Sequence, residues 1–161
     1  MLRTTATDPD LRLPAAALPF LVVGAVAVVA GGVVAAVTRP TGFEQGSWVA
    51  AYLVLVGGVA LIGLGVGQTL FAPRAPTRIT TSRQLGGWVL SSALVVTGTL
   101  ASTPVVTAVG GLVLLAVLVT FITSVWGSTA SGVSLWLYRA VLVVLLVSIP
   151  VGLAMAWQRH G

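Results

Sequence analysis

The side chains of this chain that could do chemistry are few and mostly neutral. There is one histidine, His160, beside the last residue, no cysteine, and only three carboxylates, Asp8, Asp10 and Glu44. A lone terminal His, even with Met1 and Met155, does not complete a haem or copper site. Without Cys there is no disulfide, thiolate metal site or cysteine nucleophile. The sequence carries no H-E-x-x-H, Walker A loop, dinucleotide fingerprint or nucleophile elbow. No acid–base pair can be assembled within its apolar segments. We therefore expect a non-enzyme with no catalytic, metal or cofactor-binding residues. Glu44, with Gln45, precedes an apolar run, where negative charge favours a helix N-terminus. It reads as a solvated loop group, with cation or partner binding as the sharper alternative.

What remains is hydrogen bonding and close packing. Ser91, Ser92, Thr97 and Thr99 fall in one apolar run, and Thr107, Thr120, Thr123 and Ser124 in the next. Such hydroxyls either line a narrow polar path or bond back to their own helix, for about 0.6 kcal/mol each. The second use is the plainer expectation. Gln68 is the strongest polar group at depth and reads as a helix contact. Gly57, Ala60, Gly63 and Gly67 share a helical face, with Ala27, Gly31 and Ala35 before them and Gly87, Ser91, Gly98 and Ser102 after. Small residues at this spacing let backbones approach closely, which replaces the hydrophobic drive absent from lipid. They serve either packing within one bundle or an oligomer or partner interface. Pro150 removes a hydrogen bond inside the last run and marks a possible hinge.

Those residues need helices to hold them, and the composition says in which solvent. Hydrophobic residues make up 57% and charged residues 7% of 161, against roughly 25% charged in a soluble domain. Lipid must be the solvent for most of the chain. The net charge is +5 and every basic side chain is Arg. The Arg residues are scattered, which excludes a nucleic-acid footprint.

A helical span needs roughly 20 apolar residues. The runs predict an all-α bundle of five transmembrane helices, at about 14–37, 47–71, 82–100, 104–126 and 133–157. They form one domain between a tail at 1–13 and a short tail at 158–161. The uncharged stretch from Leu85 to Trp126 would be roughly twice the hydrocarbon thickness as one straight helix. The sequence Ala101-Ser102-Thr103-Pro104 supplies the break, with Pro starting the next helix. Trp48, Trp88, Trp126, Trp136 and Trp157 all fall near proposed helix ends, as an interfacial belt requires.

Arg3, Arg12, Arg74, Arg78, Arg83 and Arg139 fall on one side and Arg39 and Arg159 on the other, a six-to-two division. The positive-inside rule then places the N-terminus in the cytoplasm and the C-terminus outside. Arg139 reaches its side by snorkelling. Arg74, Arg78 and Arg83 also suit anionic lipid heads. A cleaved signal peptide ending near Ala25-Val26-Ala27 is the alternative for the first run. That run continues to Val37, beyond a signal's apolar region of about 7–15 residues.

Trp48-Val-Ala-Ala-Tyr-Leu-Val-Leu-Val-Gly-Gly58, and Leu137-Tyr-Arg139 with Val147-Ser-Ile-Pro-Val-Gly-Leu153, resemble small uncharacterised multi-pass integral membrane proteins of actinobacteria. The resemblance implies a bacterial plasma-membrane location and brings no activity with it. The expected partners are the bilayer and either a membrane-protein partner or a second copy. Two roles follow: a structural or accessory subunit packing against itself or a larger membrane complex, or a small transporter working as a homodimer. The missing intramembrane carboxylate weighs against proton-coupled export.

Overall fold

Apolar runs bounded by Pro, Gly and Thr become helices bounded by the same residues. A computed structural model of the chain describes residues 15–128 and 133–158, with side chains placed for 15–128 and 135–149. The tail at 1–13, Arg3, Arg12, Arg159 and His160 lie outside the described residues, as do the side chains of Pro150 and Trp157. All regular structure among the described residues is helical.

Helix α1 (Ala15–Thr41) opens with a single 3-10 turn and has Pro19 in its first α turn. It runs past the expected end at Val37, through Arg39 and Pro40. Gly42 ends it with a left-handed φ of 65° that a Cβ would disfavour. Helix α2 (Gly46–Phe71) follows directly and widens to π-helical geometry over Leu53–Ala60.

The two helices meet backbone to backbone. The carbonyl oxygen of Gly58 lies 3.0 Å from where a Cβ on Gly24 would stand, and that of Gly24 lies 3.0 Å from where a Cβ on Gly58 would stand. Only glycine fits on either side of this crossing.

The chain leaves α2 through Pro73 and Pro76. The Thr77 hydroxyl then caps α3 (Arg78–Leu100), accepting from the Thr80 N–H at 3.2 Å. α3 and α4 (Pro104–Val125) form the expected tight hairpin. Ser102 takes a left-handed φ of 52°, and the Thr103 N–H reaches back to the Gly98 carbonyl at 2.8 Å, which satisfies the end of α3. Helix α5 (Val133–Gln158) packs on α4 and on the end of α2, and its backbone stays helical through Pro150.

Among the described residues three helices, α1, α2 and α4, are long and apolar enough to cross a membrane. α3 is diluted by Arg78, Arg83, Gln84 and its threonines, and the described side chains of α5 give an apolar stretch only over Leu135–Ile149. The core sits where α2, α3 and α4 converge under the start of α1. There Phe121 meets Phe20 edge-on at 5.8 Å and Trp88 at 6.2 Å. Leu61, Leu64 and Leu118 close around them.

Candidate functional site

Helix directions bring the end of α2, the start of α3, the end of α4 and the start of α5 to one end of the bundle. Three polar side chains meet there inside the protein. Gln68 is fully buried near the end of α2, and Gln84 is 2% exposed in the second turn of α3. The Gln84 Nε2 amide donates to Gln68 Oε1 at 3.0 Å and to Thr120 Oγ1 of α4 at 3.3 Å. Thr120 passes its own proton to the Val117 carbonyl at 2.6 Å.

The pair is only half satisfied. Gln68 Nε2 and Gln84 Oε1 are buried without a partner among the described residues, and so is Trp88 Nε1, one turn beyond Gln84. Turning both amides over would merely exchange the roles, leaving one donor and one acceptor unmet. Primary amides neither gain nor lose a proton to become charged near neutral pH. This node therefore fixes helix register and offers hydrogen bonds; it does not do acid–base work.

Tyr138 of α5 closes the same end. Its ring lies against Gly67, where any Cβ would collide with it, and its hydroxyl donates to the Leu64 carbonyl at 3.1 Å. Phe71 packs on the ring at 5.6 Å.

Most other hydroxyls bond back to their own helix. Thr38 donates to Val34, Thr97 to Ala93, Thr99 to Val95 and Ser124 to Thr120, all within 2.6–2.8 Å. Among the described residues no group of three or more His, Cys, Asp or Glu could hold a metal ion.

The small residues divide by place. A Cβ on Gly57 would stand 3.2 Å from Ala27, one on Gly87 2.5 Å from Val117, and one on Gly98 2.5 Å from the Thr107 backbone nitrogen. Gly67 is filled by Tyr138, and Ala60 lies half-buried against the core. Ser91 is buried and bonds to the Trp88 carbonyl at 2.8 Å. Gly63 and Ser102 differ: Gly63 has no atom within 4 Å of its missing Cβ, and Ser102 stands exposed in the hairpin turn. Gly57 and Gly63 therefore do not both point inward.

Arg74, Arg78, Arg83 and Arg139 are exposed. Trp126 and Trp136 are 78% and 71% exposed, and Trp48 stacks on Tyr52 at 5.5 Å. Trp88 corrects the expected belt: it is 2% exposed and belongs to the core. α3 begins at Arg78, ahead of the expected start at Ser82, which puts Trp88 about 15 Å into the helix.

Gln84 escaped the sequence reading because it sits among Arg83 and threonines and resembles the polar start of a helix. The signal available was shared depth: Gln68, Gln84 and Thr120 lie at corresponding ends of three consecutive antiparallel runs. No protein-family model matches the chain, and no curated protein or solved structure matches it.

Proposed function

We propose that this chain is an integral protein of the bacterial plasma membrane with five spans, its N-terminus in the cytoplasm and its C-terminus outside. Its role is that of a structural or accessory subunit, packing through α1 against a larger membrane complex or a second copy. The observation that carries the reading is how the small residues are used. Most of those of α2, α3 and α4 are consumed within the bundle, Gly63 and Gly86 excepted, while only 17% of the apolar stretch of α1 is buried, against 39% for α2. The outer face of α1 presents Val22, Val26, Val29 and Val33, each more than half exposed, and Gly32 has nothing within 4 Å. The orientation is supported by Arg74, Arg78, Arg83 and Arg139 at the end of the bundle that holds the glutamines, with Arg39 at the other.

The test uses the absence of cysteine. Single Cys substitutions at Val26, Val29 and Val33 give one thiol each, and cross-linking in membranes followed by mass spectrometry identifies what lies against α1. A stoichiometric cross-linked protein supports the reading; lipid-only surroundings at all three positions, with no co-purifying partner, sink it. Reporters fused to the two termini test the orientation, and a cytoplasmic C-terminus sinks the five-span topology. The unmet donor and acceptor of the glutamine pair favour a second reading, a small transporter working as a homodimer. A clean homodimer that binds a neutral polar solute at Gln68 and Gln84 would favour it over the first.

A further inference from the structure

A groove of about 420 Å³ opens between the end of α4 and the start of α5, with Ile122, Trp126, Arg139, Leu142 and Val143 among its lining residues. That volume falls within the range of roughly 300–1,000 Å³ typical of small-molecule sites. Among the described residues of the lining, Arg139 alone is charged. The Trp126 ring stands largely outside the bundle at the rim. Leu142 and Val143 lie about one turn further into the bundle than Arg139, and Ile122 one turn inward from Trp126. The groove therefore runs from an aromatic and cationic mouth to an apolar floor.

No described residue supplies an anion to Arg139. Arg139 lies in the second turn of α5, and the first turn holds no acidic residue. The one acidic side chain among the described residues, Glu44, lies in the α1–α2 connection at the other end of the bundle. A guanidinium so placed recruits a phosphate, and the floor beneath it suits an acyl chain.

We infer that this groove is a binding site for one anionic glycerophospholipid, its phosphate at Arg139 and Trp126 and an acyl chain along Ile122, Leu142 and Val143. The inference rests on the proposed topology for the level of Arg139 at the headgroups.

The test is native mass spectrometry of the whole protein, taken into neutral detergent from vesicles of equimolar phosphatidylglycerol and phosphatidylcholine. The expected result is a single-lipid adduct enriched in phosphatidylglycerol by about fivefold, the effect of one basic residue at an anionic surface. R139Q should bring the ratio to parity, R139K should keep it, and the R74Q/R78Q/R83Q chain should keep it too. V143W, which narrows the floor and leaves the charge, should reduce adducts of both lipids. Enrichment that survives R139Q, or disappears in the R74Q/R78Q/R83Q chain, overturns the inference. So does a V143W chain that retains lipid like the parent, a result that stands even where R139Q fails to fold. A cytoplasmic C-terminal reporter would count against the topology alone, because the adduct ratios report on Arg139 whichever way the chain lies.

Discussion

Replacing Gln84 by Met keeps the volume of the side chain and removes its amide. Two hydrogen bonds are lost, at 3.0 and 3.3 Å, worth about 0.6 kcal/mol each in a membrane protein. Gln68 Oε1 then joins its Nε2 in being buried without a partner, which adds roughly 1–3 kcal/mol. Q84M should therefore destabilise the protein by about 2–4 kcal/mol. Q68M should cost somewhat less, because Gln84 would keep Thr120. The double variant Q68M/Q84M removes both amides, including the donor and acceptor already unmet in the parent. Replacing both partners by apolar groups of similar shape is close to neutral, so the double variant should fall within about 1 kcal/mol of the parent. The assay is reversible unfolding in mixed micelles by titration with a denaturing detergent, followed by circular dichroism. If the two single effects simply add in the double variant, the glutamines do not act as a pair and the reasoning about the node is wrong.

Five further outcomes are expected in the same assay. G98A should cost about 1–3 kcal/mol, because its Cβ meets the Thr107 backbone at 2.5 Å and cannot be relieved without parting the hairpin; G63A, facing open space, should gain about 0.5–1 kcal/mol. Y138F should lose only about 0.6 kcal/mol with the bond to Leu64, whereas Y138A, which empties the place against Gly67, should lose about 3–5 kcal/mol. S102G should gain about 0.5 kcal/mol, since relief of the left-handed strain outweighs the freedom glycine adds to the unfolded chain.

Helix positions were legible because they depend on local chemistry. Pro104 after three small residues marks the hairpin, and the runs toward Phe71 and Gln158 end within a residue or so of where their composition changes. Gly87, Gly98 and Gly67 were legible as contact points, since a missing side chain means close approach whichever neighbour fills the space. Neighbour identity was not legible. That Gln68 meets Gln84, or that Gly63 faces outward while Gly57 meets Ala27, depends on how three helices are rotated about their axes. Uniformly apolar sequences encode that rotation weakly, because every face of such a helix can meet lipid. Trp88 misled for a related reason: closeness to a helix end suggests headgroup depth, but only the packed bundle decides whether a ring points out or in.

The bond from Tyr138 to Leu64 also has a meaning in time. The α1–α2 pair and the α3–α4 hairpin each join neighbouring segments and can assemble as soon as both members have been made. The Tyr138–Leu64 contact spans 74 residues of sequence, and Gly67 waits for a ring that is synthesised only with the last helix. Until then the face of α2 that holds Gly67 is uncovered. If the helices pair in the order they are made, the last side of the bundle to be covered is this one, and Tyr138 is the residue that closes it.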